Sequence, residues 1–275
     1  RAMRTHHALP AGYLMEHPLE GQRLERKTRR GSARRQLLTA GLSEGMQALD
    51  LGCGTGAVTR EMAAIVGPGR ALGVDQSRER IAEAVRMAAE RDLEIAFACH
   101  DAHALELPTA TFDFAWSRFL FEYLEQPQRV LAEMVRVTKP GGIVAVADLD
   151  GQLQSFHPLS SADEACLAGT LRALRTSGFD PDVGRKLYGW FRSAGLTAIR
   201  VGIYTHQLYV GGIPSSERPN WQQKLETALP RVAYAGEGLG DAAAQLGALI
   251  ERDDFFYYST LICVSGRVPE RSGRT

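Results

Sequence analysis

The stretch "ALDLGCGTGAVTREMA", residues 48–63, constrains this chain more than any other. A short apolar run leads into Gly52, Gly54 and Gly56, three glycines in five positions, and a helical pattern follows. Glycine gives up more backbone entropy on folding than any other residue. A junction this rich in it needs unusual dihedrals or a very close approach to the backbone. A glycine turn that only packs a helix onto a strand has the same local look, so the neighbouring segments must decide.

Those segments alternate. "MQALDLG", "RALGVDQ", "IAFACHDA", "FDFAWSRFLF" and "GIVAVADLD" read as strands. Between them "AVTREMAAIVG", "SRERIAEAVRMAAERDL" and "QPQRVLAEMVRVT" read as helices, with Ser77 as a cap and "KPGG" as a stop. Alternating βα units with short connections predict an α/β fold with a doubly wound, mostly parallel, seven-stranded sheet and right-handed crossovers. Residues 18–42 read as helical, with breaks at Gly21 and Gly31. Beyond 151 the rhythm changes: two helical segments, the strand "TAIRVGIYTHQLYV", a helical stretch broken near Pro230 and Gly236, and a last strand "FFYYSTLICVSGRV". The expected organisation is an arm over 1–42, a ligand-binding core over 43–150, and the rest of the sheet with a helical cap over 151–275, all one domain.

Composition narrows the partners. Lys plus Arg and Asp plus Glu are 32 each, so no net charge draws the chain to nucleic acid or to a membrane. The basic run from Arg23 to Arg35 has no interleaved aromatics and reads as a solvated face. No apolar run is long enough to span a bilayer. Cys53, Cys99, Cys166 and Cys263 lie far apart without metal-ligand spacing, so no metal is expected, and reduced thiols suit a cytoplasmic protein.

In such a sheet, ligands sit at the carboxyl ends of the strands, near the reversal of strand order. Asp75 ends the second strand about twenty residues beyond the glycines, where a carboxylate can take ribose hydroxyls. The third strand ends in Asp101 and Ala102, and Asp50 precedes the glycines, placed to support the loop or reach an ammonium group. Three acids at one rim repel a pyrophosphate. They suit a ligand with an amine, a ribose and an adenine. "GCGTGA" also lacks the G-x-G-x-x-G spacing of dinucleotide enzymes.

At these positions the sequence resembles class I S-adenosylmethionine-dependent methyltransferases. "LDLGCGTG", "GVDQS", "CHDAHALELP", "FDFAWSRFLFEYLEQP" and "VTKPGGIVAVADLD" match the family's successive blocks across residues 45–150. The resemblance implies Gly52, Cys53 and Gly54 against the methionine part, Asp75 and Gln76 on ribose and adenine, Asp101 and Ala102 on adenine, and Ser117 on the methionine part. It also implies S-adenosylhomocysteine as product. "YLMEHPLEGQRL" resembles the segment that folds over the cofactor in many small-molecule methyltransferases, with Tyr13 stacking on it or hydrogen-bonding to it and Arg23 pairing with its carboxylate; an outer amphipathic helix without ligand contact is the alternative. Such an arm can also be exchanged between protomers of a homo-oligomer.

Acceptor contacts should come from the added segments. Candidates are Phe119, Tyr123, Phe156, His157, Tyr188, Trp190, Phe191, Tyr204 and His206, with Tyr209, Trp221 and Tyr234 beside them. His157, just past the fifth strand, is the candidate general base, against a loop histidine without a chemical role. No Asn-Pro-Pro-Tyr follows the fourth strand, where amino-directed enzymes carry it; "SRFLF" stands there. "YLMEHPLEGQRLERKT", "DPDVGRKLYGWFRSAGL" and "FFYYSTLICVSGR" resemble bacterial natural-product methyltransferases, among them C-methyltransferases of the teleocidin type. That likeness implies carbon methylation of a small, apolar, isoprenoid-bearing acceptor such as a prenylated indole alkaloid, with carbocation cyclisation. Oxygen, nitrogen or sulfur methylation is the alternative within enzymes, and a non-catalytic cofactor-binding module the alternative outside them.

Overall fold

A computed structural model describes residues 14–15, 17–28, 32–233 and 242–270, so Tyr13, Gly31, Tyr234 and Gly236 lie outside the described residues. Helices α1 (Glu20–Thr28) and α2 (Ser32–Ala40) precede the core. Strands β1 (Ala48–Leu51), β2 (Ala71–Asp75), β3 (Ala96–Cys99), β4 (Phe112–Arg118) and β5 (Thr138–Asp150) alternate with α3 (Ala57–Val66), α4 (Arg78–Ala89) and α5 (Pro127–Val137). Then come β6 (Phe156–His157), α6 (Ser161–Thr176), α7 (Val183–Ser193), β7 (Thr197–Val210), α8 (Arg218–Ala233), α9 (Ala242–Ile250) and β8 (Phe256–Arg267).

Local chemistry sets these boundaries. The Ser77 hydroxyl caps α4 by accepting from Arg80 N–H at 3.3 Å, and α5 opens on Pro127, where a missing N–H does no harm. Val130, Leu131, Met134 and Val137 bury one face of α5, and Ser160 with Asp163 forms a capping box on α6.

The sheet runs β3-β2-β1-β4-β5-β8, with β6 continuing the β5 edge of β8 and β7 on its other edge. The first five strands are parallel, as alternation predicts. β8 enters antiparallel to both β5 and β7, and two-residue β6 adds an eighth strand to the seven expected.

Four local expectations are corrected. "FLF" does not prolong β4: Phe119 turns to φ 57°, and residues 121–123 form a 3-10 turn whose Phe121 N–H donates to Asp148 Oδ2 at 2.8 Å. "KPGG" is drawn into β5 instead of standing outside it. Gly21 lies inside α1, where a Cβ would come within 2.5 Å of the Glu83 carboxylate. Pro230 lies within α8 and does not end it.

Three buried clusters result. One lies on the sheet face under α5 and α7 and one on the face under α2 and α3. The third joins α6, α8 and α9 around fully buried Tyr257, which stacks on Phe156 at 4.4 Å between ring centres.

Candidate active site

Strand register brings Leu51, Val74 and Ser117 to one level, with Asp75 beside Cys99 one residue further on. Above this rim the glycine loop takes the left-handed conformations its sequence allows, with φ 77° at Gly52, 53° at Gly54 and 74° at Gly56. A Cβ at Gly52 would press Leu120, and one at Gly54 would press Leu24 of α1, each at 3.0 Å. Gly56 serves packing instead, because a Cβ there would strike the Phe97 ring at 2.8 Å.

The acids behave differently from one another. Asp75 accepts from Gly54 N–H and Ser77 N–H, both at 2.9 Å, which ties the loop to the end of β2. Asp50 is buried and accepts from the Thr59 hydroxyl at 2.7 Å. Burial pushes its pKa up to about 7, and the nearby Asp75 charge acts in the same direction. Arg118, at the end of β4, is buried and drawn down to about 10 by desolvation, so it stays protonated and opposes the Asp50 shift. Asp101 is exposed, and its carboxylate is held below the usual range by hydrogen bonds from His103. Gln76 is exposed and Ala102 half-buried at the same rim.

Helix α1 lies across the loop. Glu25 accepts from Thr55 Oγ1 at 2.7 Å and from Arg60 Nη2 at 2.6 Å, and Arg60 also donates to the Thr55 carbonyl at 2.8 Å. Arg23 does not stand open to a ligand carboxylate: Glu20 holds its guanidinium in a two-point fork at 2.6 and 2.7 Å.

Two cavities adjoin this corner. A polar one of about 180 Å³ is lined by Arg23, Arg26, Gln36, Arg118, His206, Glu217 and Lys224, among others. An apolar one of about 70 Å³ is lined by Leu14, Met15, Tyr123, Leu153, Phe179, Trp221 and Leu229, with Glu122 and Lys224 in its wall. Of the acceptor candidates, Tyr123 and His206 therefore reach a cavity, and Phe119 packs on His206 and beneath Arg118, at 5.2 and 4.5 Å. Trp221, named beside them, lines the apolar cavity, while Tyr209 is buried against Tyr257.

The others are placed elsewhere. Phe156 and Phe191 are buried in core clusters, and Trp190 packs on Phe121 at 6.5 Å. Tyr188 is 46% exposed, and half-buried Tyr204 sits beneath Arg35 at 5.4 Å. His157 is exposed on two-residue β6 and lines neither cavity. Glu25, Arg118, Glu122 and Lys224 carry no sequence signal that sets them apart from other charged helix and strand-end residues.

A family profile described as "Methyltransferase domain" matches residues 48–142, the glycine loop and the strands around it. The chain carries a methyltransferase domain. An uncharacterized methyltransferase of Schizosaccharomyces pombe is 28% identical over 211 residues, 74% of each chain. A ubiquinone/menaquinone biosynthesis C-methyltransferase of Bdellovibrio bacteriovorus is 36% identical over 109 residues, 40% of this chain and 46% of that one. A 2-methyl-6-phytyl-1,4-hydroquinone methyltransferase of Synechocystis is 35% identical over 119 residues, 43% of this chain and 37% of its own length. The last two relatives are thus matched over less than half their length. A solved methyltransferase from Bacillus halodurans shares the fold with a TM-score of 0.61 at 15% identity, covering 87% of this chain and all of that one.

The methyltransferase is S-adenosylmethionine-dependent, and its residues fit that cofactor. The Ser117 hydroxyl, buried beside Leu51, has no hydrogen-bond partner among the described residues, as expected of a group that meets a ligand. Asp50 places a buried carboxylate two residues before Gly52, and Gly52 and Gly54 carry no side chain into the space between them.

Proposed function

We propose that this methyltransferase methylates a carbon atom of a small, largely apolar acceptor bearing an isoprenoid group. A prenylated indole alkaloid whose cation then closes a ring is the specific candidate. The apolar cavity beyond the end of β4 carries this reading: Tyr123, Phe179 and Trp221 face it, with leucines around them. A matched relative is a C-methyltransferase, and another acts on a phytyl-substituted hydroquinone, which supports carbon as target and an isoprenoid as its neighbour.

When bound, the cofactor supplies a methyl group on a sulfonium. Gly52 and Gly54 would lie against the methionine part, Asp75 and Gln76 would hold ribose and adenine, Asp101 and Ala102 would border the adenine, and Asp50 and Ser117 would hold the methionine end. Catalysis is then mostly positioning, which supplies on the order of 7–11 kcal/mol in well-oriented systems. The faces of Tyr123 and Trp221 stabilise positive charge on the acceptor.

The test is turnover with deuterated methyl donor and a panel of prenylated indoles and hydroquinones, read by mass spectrometry. Label on carbon is expected. Label on oxygen, nitrogen or sulfur overturns the carbon assignment. Tight S-adenosylhomocysteine binding by calorimetry with no transfer to any acceptor makes the protein a binding module.

A further inference from the structure

Two side chains, Arg23 and Lys224, line both cavities among the described residues. Arg23 is spoken for by Glu20 and carries a permanent charge. Lys224 sits one turn after Trp221 on α8, its Nζ 5.1 Å from the centre of that ring. No hydrogen bond or ion pair joins it to another described residue. An amine on the wall of an apolar cavity, with no protein acceptor of its own, is placed to meet a polar atom that arrives with a ligand.

We propose that Lys224 takes the proton that the acceptor gives up on methylation. The inference rests on the methyl-transfer reading above. As the acceptor atom bonds the methyl carbon, the electrons of the broken carbon–sulfur bond remain on sulfur. The proton shed by the acceptor moves onto the Nζ lone pair, and the amine becomes an ammonium.

The surroundings suit both forms. Arg23 and Arg26 on α1, Arg118 at the end of β4 and His206 on β7 crowd the lysine side with positive or protonatable groups. Glu20 on α1, Glu122 on the 3-10 turn and Glu217 next to α8 supply the opposing charge. Burial pulls Lys224 down to about 8, Arg23 lowers it further, and Glu122 and Glu20 resist. A free amine is therefore available near neutral pH, and the two glutamates stabilise the ammonium once it forms. Arg23 cannot exchange a proton in this way.

Two measurements test the proposal. In the first, competitive acetylation of the wild-type protein with isotopic acetic anhydride is followed by peptide mass spectrometry from pH 6 to about 11. Lys224 should titrate at least one pH unit below the ordinary lysine value of 10.5. Titration at the ordinary value, or no reaction across the range, overturns the proposal.

In the second, Lys224→Met and Lys224→Arg are assayed with the acceptor that takes label. Both should lose on the order of 10²–10⁴-fold in kcat and the rise of kcat toward pH 8, while S-adenosylhomocysteine affinity stays within about twofold of wild type. A variant with the wild-type pH profile and a rate within about threefold overturns the role. If no acceptor takes label, the methyl-transfer reading falls, and the proton-acceptor role falls with it whatever the titration shows.

Discussion

Asp50→Asn is expected to make the protein more stable and its cofactor weaker at the same time. In the folded chain the Asp50 carboxyl holds its proton up to about pH 7, against 3.8 for an ordinary aspartate. Its folded value is raised, so its contribution to stability is full below about pH 4 and is lost as pH rises toward 7. At about 1.4 kcal/mol per pH unit, that loss is on the order of 4 kcal/mol. An asparagine amide oxygen can still accept from Thr59 Oγ1, and the repulsion from Asp75 disappears. Its new N–H groups need partners, which trims the gain to roughly 1–3 kcal/mol at pH 8. Near pH 4 the gain should vanish, because the wild-type carboxyl is neutral there too. The same substitution removes the proposed anionic partner of the cofactor ammonium, a charge-assisted bond of roughly 1.5–3 kcal/mol, so S-adenosylhomocysteine affinity should fall roughly 10- to 150-fold. Wild-type affinity should itself weaken below pH 7, as the carboxyl keeps its proton. Urea unfolding at pH 4.5 and 8, with calorimetry across the same range, checks both halves. An equal stability difference at both pH values, or wild-type affinity that is flat from pH 6 to 8.5, refutes the reasoning.

Asp75→Ala removes the acceptor of both Gly54 N–H and Ser77 N–H as well as the proposed ribose contact, so S-adenosylhomocysteine affinity should fall by at least about tenfold in a folded protein; unchanged affinity takes Asp75 out of the site. Glu25→Ala leaves Arg60 without its carboxylate and unties α1 from the glycine loop, and limited proteolysis should cut around residues 28–32 faster than in wild type, with weaker cofactor binding; an unaltered digest shows α1 is held by other contacts. His157→Ala should keep close to the full rate, because the imidazole is exposed and away from both cavities; a drop of 10²-fold or so restores it as a base.

The rim was legible in the sequence because its constraints are local. Positive φ at Gly52 and Gly54 is a backbone matter, and strand alternation places Asp75 and Ser117 at the carboxyl edge without any knowledge of the cap. The acceptor side was not legible, because an aromatic side chain is equally suited to a core or to a pocket. Phe156 and Phe191 read like Tyr123, yet they fill clusters around Tyr257 and under α7. Phe119 reads as the continuation of a strand, yet it turns to a positive φ where its ring packs on His206 and beneath Arg118. Lys224 could not be singled out, because which face of α8 turns inward depends on α1, which is nearly two hundred residues earlier.

That distant pairing explains why the arm matters to both halves of the site. On one side Glu25 grips Thr55 and Arg60, directly behind the glycine loop. On the other, Glu20 accepts from Gln223 Nε2 of α8 at 3.0 Å and holds Arg23 in the wall common to both cavities. A helix of nine residues thus spans the cofactor loop and the cap. Leu24 leaves no room for a Cβ at Gly54, while Leu14 and Met15, just before the helix, line the apolar cavity. In the proposed reaction, α1 in this position shields the methyl group and the amine of Lys224 from bulk water, which would compete with the acceptor for each.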